Sequence, residues 1–380
     1  MFESIVNFIR NLYGTNGYIP LHEPRFVGNE KRYLNECIDS TYVSYLGKFV
    51  GRFEDMVKEY TGARHAIATA SGTVALHAAL IVAGVRPGDE VLTQALTFVA
   101  TANAISHCGA KPVFIDSDKE TLGISPEVLK DFLENHTEMK SDGFCYNRKT
   151  HKRIAACIPM HVFGHPVKID GILEACLQYN VLVIEDSAES LGSFFRDKHT
   201  GTFGKIGILS FNGNKIVTTG GGGMILTDDD DIANRARHIT ATAKTSHKWE
   251  FIHDEVGYNY RMPNVNAAVG CAQMESLPQF LRSKRDISQQ YAAFFKTLDL
   301  GFFTEKDDCR SNYWLNAIIL RDRNQRDDFL DYCHDSGIMS RPVWTLMNKL
   351  PMYRDCQATN LEKAHWLEDR IVNVPSSVKL

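Results

Sequence analysis

The chain has 380 residues, 44% of them hydrophobic and 23% charged, and its formal net charge at pH 7 is -4. This composition is typical of a globular protein large enough for two domains, and the mildly acidic balance argues against general nucleic-acid binding. Nine cysteines without CxxC pairs or a Cys/His ligand spacing argue against a disulfide framework or a zinc site and indicate a reducing, cytoplasmic environment.

The first predicted element is an amphipathic helix in MFESIVNFIRNLYG, where Glu3 and Arg10 interrupt the apolar positions. A signal peptide or a membrane span would need a continuous hydrophobic segment, which this stretch lacks. From about residue 65 to residue 245, strand-like runs alternate with helical ones, beginning with HAIAT and TVALHAALIVAG and including VLVIED. This alternation predicts an α/β fold with a mostly parallel central sheet covered by helices on both faces. In such folds ligands bind at the carboxyl ends of the strands.

The pattern changes at three places along the chain. Residues 137–152 are polar and predict an exposed insertion. The aspartates of 228–231 precede IANRAR, so we expect them to stabilise a helix N-terminus, with a metal site as the less favoured alternative. After about residue 265 a long helical stretch is followed by NYWLNAIIL, a predicted strand, and RDDFLDYCHDSG, a predicted helix. We therefore predict a large domain over 1–265, including the N-terminal segment, and a smaller α+β domain over 266–380.

A single lysine, Lys215, stands between a small polar run and four consecutive glycines in SFNGNKIVTTGGGG. A flexible linker is one explanation of such a run. The flanking stretches IGILSF and MILT predict short buried strands, so we expect Lys215 in a strand-bounded turn. An amine in a partly desolvated turn can be neutral and available for Schiff-base chemistry, although most turn lysines are solvated surface residues.

Two features that precede Lys215 complete a pattern. Ser71-Gly72-Thr73 follows HAIAT and opens an apolar helix, whose free N–H groups suit a phosphate, although a simple N-cap is the commoner role of such a triplet. Asp186 ends VLVIED, where a buried carboxylate needs a cationic partner. That partner is either a basic side chain, in a structural salt bridge, or the protonated nitrogen of a pyridine ring. An ionised aspartate keeps such a ring cationic, so that the ring withdraws electrons. In this order, the three features outline a site for pyridoxal 5'-phosphate.

Several longer stretches also resemble a known family. They are ATASGTVALHAAL, PGDEVLTQALTFVATANAI, PVFIDSD, VIEDSAESLGS, SFNGNKIVTTGGGGMILT and GYNYRMPNVNAA. Over essentially its whole length the chain is similar to the sugar aminotransferases of aminosugar antibiotic and lipopolysaccharide pathways. The resemblance implies fold type I of the pyridoxal phosphate-dependent transferases, the fold of aspartate aminotransferase. The N-terminal stretch and the SFNGNK form look closest to the legionaminic-acid-pathway branch, whose substrate is a UDP-linked 4-keto-6-deoxy-N-acetylhexosamine.

The resemblance also implies roles for particular residues. Lys215 matches the lysine that carries the cofactor, and Asp186 matches the partner of the pyridine nitrogen. Asn259, in GYNYR, matches a residue that the neighbouring subunit donates to the phosphate, so a homodimer with shared active sites is implied. The remaining matches are the phosphate contacts Gly72, Thr73 and Ser210, and the ring-stacking aromatic Phe98. Taken alone, Phe98 is also typical of a core aromatic, and Asn259 of an ordinary turn residue.

The chain departs from the family pattern at two positions. Glu189 stands among the cofactor contacts where many members have histidine or glutamine, and Tyr45 lies in a stretch that is usually made of small residues near the active-site mouth. A pair of histidines, His161 and His165, has a spacing compatible with a metal, but a glycine and a proline break any helix there. We therefore interpret both as structural residues and predict no metal site.

The resemblance implies an aminotransferase that converts a nucleotide-linked 4-keto-6-deoxy sugar to its 4-amino sugar, with L-glutamate as donor. UDP-4-keto-6-deoxy-N-acetylglucosamine is the expected acceptor. One alternative is a sugar dehydratase of the same fold, in which a histidine replaces the cofactor lysine, so the presence of Lys215 disfavours it. The other is a regulator that binds a nucleotide sugar without turning it over, which the intact Lys215 and Asp186 disfavour.

Overall fold

The computed structural model describes residues 1–379. Its helices, numbered in chain order, are α1 (Phe2–Tyr13), α2 (Glu30–Asp39), α3 (Lys48–Thr61), α4 (Gly72–Val82), α5 (Val99–His107), α6 (Pro126–His136), α7 (Ile169–Gln178), α8 (Asp230–Thr240), α9 (Asn264–Thr297), α10 (Arg323–Asp335) and α11 (Glu362–Glu368). Its strands are β1 (His65–Thr69), β2 (Glu90–Gln94), β3 (Lys111–Ile115), β4 (Thr137–Met139), β5 (Cys145–Asn147), β6 (Ile154–Ile158), β7 (Leu182–Asp186), β8 (Phe194–Phe195), β9 (Lys198–His199), β10 (Ile206–Ser210), β11 (Gly223–Thr227), β12 (Gly301–Phe302), β13 (Cys309–Arg310), β14 (Asn316–Ile319), β15 (Arg341–Pro342) and β16 (Ile371–Val374).

The central sheet has the strand order β1-β11-β10-β7-β6-β2-β3. The five strands from β10 to β3 pair in parallel, and β11 runs antiparallel to both β1 and β10. Side chains alternate between the two faces, so that Ile225 packs with α4, α5 and α8 while its neighbour Met224 packs with α3 and α9. The predicted mostly parallel sheet with helices on both faces is confirmed.

The glycine run after Lys215 brings the chain close to the start of α4. Gly220 has a φ of 78°, which favours glycine, and a Cβ on Gly223 would lie 2.4 Å from the carbonyl oxygen of Ser71. The run is therefore part of a tightly packed turn and not a linker.

A second sheet of four strands, in the order β12-β14-β16-β15, forms the core of the C-terminal part of the chain. Apolar side chains of α1, including Ile5 and Ile9, pack with Tyr291 and Phe295 of α9 and with residues of this sheet. The amphipathic helix is thus where the sequence placed it, but it packs on the C-terminal sheet and not on the large domain to which it was assigned. The division at residues 265 and 266 itself stays a prediction.

Several local expectations can be compared directly with the structure. Residues 137–147 form the small hairpin of β4 and β5, and the Asp229 side chain accepts hydrogen bonds from the first turn of α8, as predicted. The strand expected over NYWLNAIIL is shorter, Asn316–Ile319, because the Asn312 side chain binds backbone groups before it. Within residues 1–379, none of the helices is both long and apolar enough to cross a bilayer.

Candidate active site

A cavity of about 300 Å³ lies at the carboxyl end of the central sheet, where β7 and β10 end and α4 begins. It is lined by seven of the eight residues that the sequence marked for the cofactor: Gly72, Thr73, Phe98, Asp186, Glu189, Ser210 and Lys215. Asn259 does not line it and is exposed on a segment between α8 and α9. The seven lining residues come from separate stretches of the sequence. They meet here because the carboxyl ends of the parallel strands converge at this edge of the sheet.

The start of α4 presents free donors to this cavity. Ser71 caps the helix, its Oγ accepting from the N–H of Val74 at 3.3 Å. Within the described part of the chain, the N–H groups of Gly72 and Thr73 have no acceptor. A Cβ on Gly72 would lie 2.9 Å from the Cβ of Ser210. The N-cap interpretation is therefore correct for Ser71, and the next two residues still offer an anion-binding helix terminus.

Asp186, at the end of β7, is only 2% exposed. Its Oδ2 accepts from the hydroxyl of Thr101 at 2.7 Å and its Oδ1 from the N–H of Ala188 at 3.2 Å. Burial raises the pKa of this carboxyl, and the Thr101 hydrogen bond opposes the shift. Among residues 1–379, no lysine, arginine or histidine nitrogen lies within 4 Å of the carboxylate. The structural salt bridge that the sequence left open is absent from this part of the chain.

Lys215 lies in the predicted turn, with its side chain 12% exposed. Its Nζ is 3.1 Å from Oε1 of Glu189 and 3.9 Å from the centre of the Trp314 ring. The other carboxylate oxygen of Glu189 accepts from the N–H of Phe163 at 2.9 Å. Burial raises the pKa of Glu189, and the neighbouring Lys215 charge opposes that shift. A carboxylate and an aromatic face thus hold the amine inside the cavity.

Aromatic rings form another wall of the cavity. Phe98 is 47% exposed and meets Trp344 edge to face, with ring centres 6.1 Å apart. Trp344 also contacts Phe163, with ring centres 5.2 Å apart. Phe98 is therefore not a core residue, and its ring is available to a ligand in the cavity.

Sequence reasoning missed three residues of this site. Thr101 belongs to α5, whereas Trp314 and Trp344 come from the C-terminal part of the chain. Trp314 and Trp344 are two of only four tryptophans in the chain, so the rarity of tryptophan was the available signal. Trp314 was instead included in a predicted strand.

Three residues discussed with the sequence lie outside the cavity. Tyr45 lines a different groove, together with Leu46, Glu54 and two arginines, and not the active-site mouth of its own chain. His161 is buried against Glu185, with its Nε2 3.0 Å from a carboxylate oxygen, and accepts from the N–H of Val167. His165 is buried between Phe303 and Tyr313. Both histidines have structural surroundings, as interpreted.

Comparison with known protein families identifies the family of this chain. Residues 24–380 match the DegT/DnrJ/EryC1/StrS aminotransferase family. The chain belongs to this family. It is an aminotransferase, and the predicted enzyme class and family are confirmed.

Individual relatives support the same assignment. This aminotransferase is 36% identical over 362 residues to GDP-perosamine synthase of Escherichia coli O157:H7, covering 94% of this chain and 93% of the relative. It is 38% identical over 336 residues to EpsN of Bacillus subtilis, named as a pyridoxal phosphate-dependent aminotransferase, covering 88% and 84%. The solved structure of the aminotransferase TlmJ from Streptoalloteichus hindustanus matches with a TM-score of 0.85 at 26% identity, covering 95% and 94%. The cofactor is pyridoxal phosphate, and fold type I is confirmed.

Proposed function

We propose that this aminotransferase transfers the amino group of L-glutamate to C4 of a nucleotide-linked 4-keto-6-deoxy sugar, with pyridoxal phosphate held at Lys215. One observation carries the proposal. The Lys215 amine, the Asp186 carboxylate and the free N–H groups of α4 line the same cavity. The intact lysine also disfavours the dehydratase alternative, and membership of an aminotransferase family disfavours a regulator.

The residues of the cavity fit the cofactor. The free N–H groups of Gly72 and Thr73, with Ser210 beside them, suit its phosphate. Asp186 is a buried carboxylate without a cation of its own in the described chain, so a protonated pyridine nitrogen would compensate it. Phe98 offers a ring face for stacking. When bound, the cofactor supplies an electron sink for the carbanion next to the reacting amine.

Lys215 is the proposed general base. Its Nζ would take the proton from Cα of the amino donor in the first half-reaction and return a proton to C4 of the sugar in the second. Glu189 would hold the amine in place between these steps, since it contacts Nζ at 3.1 Å. Trp314 would limit the access of water to the amine, because its ring covers one side of Nζ.

The proposal includes a homodimer in which Asn259 of each chain completes the site of the other. Asn259 is exposed, and its side chain makes no hydrogen bond within residues 1–379. Large apolar side chains are exposed nearby in sequence, Phe251 at 80% and Val256 at 81%, as are Tyr42 and Leu46 near the N-terminus. The proposed dimer interface would cover these exposed side chains.

Subunit exchange tests the shared site. A Lys215→Ala protein and an Asn259→Ala protein should each be nearly inactive, but a mixed dimer has one site with both residues intact. Mixing should therefore restore up to a quarter of the wild-type activity per chain, since about half of the dimers are mixed at equilibrium and each has one working site. No recovery despite exchange verified by mass would show that Asn259 serves its own chain.

Two observations favour different nucleotides. The N-terminal stretch and SFNGNK favour a UDP-linked N-acetylated sugar, UDP-4-keto-6-deoxy-N-acetylglucosamine. The similarity to GDP-perosamine synthase favours a GDP-linked sugar as the second candidate. We test both by incubating the protein with ¹⁵N-glutamate and UDP-, GDP- and dTDP-linked 4-keto sugars, with product mass as readout. A product that carries the label at C4 supports the function, and no labelled product with any of them contradicts it.

A further inference from the structure

The segment that carries Asn259 is hydrogen-bonded on both sides like an additional strand. On one side the N–H of Ala70 donates to the carbonyl of Tyr260 at 2.8 Å, directly before the start of α4. On the other side the N–H groups of Tyr258 and Tyr260 donate to the last turn of α8, at 2.7 and 3.0 Å. The backbone of Asn259 is therefore extended and fixed between two elements.

The two tyrosines that flank Asn259 both contact His77, a residue of α4. The hydroxyl of Tyr260 is 3.1 Å from Nδ1 of His77, and the Tyr258 ring meets the His77 ring edge to face at 5.2 Å. The rings of Tyr258 and Tyr260 stack with centres 4.8 Å apart. His77 is only 7% exposed, and its hydrogen bond with Tyr260 is part-buried. Burial lowers the pKa of His77 and raises that of Tyr260, which keeps both groups neutral near pH 7.

The contacts of Tyr258 and Tyr260 with His77 also determine which way Asn259 faces, because side chains alternate between the two faces of an extended segment. Residues 258 and 260 face α4, so residue 259 between them faces away from it. The orientation of Asn259 is thus set by how firmly its two neighbours are held. A loose segment could turn Asn259 or slip by one residue, which would exchange the two faces.

We propose that His77 and Tyr260 are positioning residues that aim Asn259 into the cofactor site of the second chain. This inference rests on the proposed function, in which Asn259 acts across the dimer. It adds that contacts with α4 determine the orientation of Asn259. The first turn of the same helix forms the phosphate site of its own chain. One helix would then serve both cofactor sites, its N-terminus in one and the Asn259 segment in the other.

Mixed dimers with a single cofactor lysine test the proposal. One chain carries Lys215→Ala and a distinct affinity tag, so the dimer has one Lys215 site, which receives Asn259 from the tagged chain. The protein is titrated with pyridoxal phosphate and reduced with borohydride, and cofactor fixed to Lys215 is quantified by mass. This readout measures cofactor binding and does not require turnover.

We expect Tyr260→Phe to raise the half-saturating cofactor concentration about fivefold when it is on the Lys215→Ala chain, because one part-buried hydrogen bond is lost. On the chain with Lys215 the same change should have little effect. His77→Phe should act like Tyr260→Phe, and the double variant should add nothing, because both remove the same bond. Tyr18→Phe, at a tyrosine that is 67% exposed, is the matched control.

The outcomes separate the two proposals. Asn259→Ala on the Lys215→Ala chain must weaken cofactor binding, and if it does so only on the other chain, the shared site itself is contradicted. If Asn259→Ala acts across the dimer but Tyr260→Phe and His77→Phe have no effect, or act equally from either chain, the positioning role alone is overturned. Thermal unfolding of each variant shows whether a loss of folding has caused the change.

Discussion

Asp186 is the residue whose charge matters most for the proposed chemistry. Asp186→Asn should keep the fold but lower turnover by orders of magnitude, because a neutral amide cannot keep a pyridine nitrogen protonated. Thr101→Val is the matched control, since it removes one hydrogen bond to the same carboxylate and leaves the charge. We expect a much smaller loss of kcat from it. A large fall in melting temperature with little loss of rate for Asp186→Asn would indicate a structural role instead.

The residues that sequence reasoning could find are those at the ends of strands. Asp186 and Lys215 follow buried apolar runs, so their positions at the sheet edge were predictable. Trp314 and Trp344 were not, because they reach the cavity from a different part of the chain through long-range packing. No local pattern marks such a contact. The same is true of the orientation of Asn259, which depends on a contact with α4.

At the scale of an element, the first turn of α4 gives a sharp test of the phosphate site. Gly72→Ala places a Cβ 2.9 Å from that of Ser210, so the helix start or the strand end must shift. Overpacking of this kind costs about 1 to 3 kcal/mol, and we expect cofactor affinity to fall roughly fivefold to hundredfold. The measurement is a titration with pyridoxal phosphate. Gly51→Ala, in α3 with no heavy atom within 4 Å of the new Cβ, is the control, and equal effects would contradict the assignment.

Most helices and strands could be predicted from hydrophobic periodicity and capping residues in the sequence, whereas their exact lengths could not. The aspartates of 228–231 mark the start of α8, where the structure has it. The strand over NYWLNAIIL was predicted too long because the side chain of Asn312 replaces strand pairing with its own bonds to Glu189 and Leu191. Side-chain bonds to a distant backbone are invisible to a local pattern.

At the scale of the molecule, a buried histidine makes the folded state sensitive to acid. Neither ring nitrogen of His165 has a partner within residues 1–379, and burial lowers its pKa to about 4. In the unfolded chain the ring takes up a proton near pH 6.5, so stability is lost as pH falls from about 6.5 to 4. The loss at pH 4.5 is about 2 to 3 kcal/mol. His165→Phe should reduce the difference in unfolding free energy between pH 7 and 4.5, measured with urea. An unchanged difference would contradict the assignment of this effect to His165.

The packing of the N-terminal helix was the whole-molecule feature that the sequence did not reveal. Its amphipathic pattern predicted a buried face, but a pattern does not say which partner covers that face. The structure places it against the C-terminal sheet, through Ile5 and Ile9. Chain order alone had suggested the large domain. Assignment of a terminal helix therefore depends on tertiary packing.

The most direct test of the proposed active site is to identify the lysine that holds the cofactor. The protein, saturated with pyridoxal phosphate, is reduced with borohydride, digested and mapped by mass, with Lys215→Ala as control. We predict that the cofactor is fixed to Lys215 and that the control loses both this label and transamination. Lys284 is the sharpest competitor, because it is fully buried and burial lowers its pKa well below the usual range for lysine. Cofactor fixed to Lys284, or an active Lys215→Ala protein, would contradict the proposed active site.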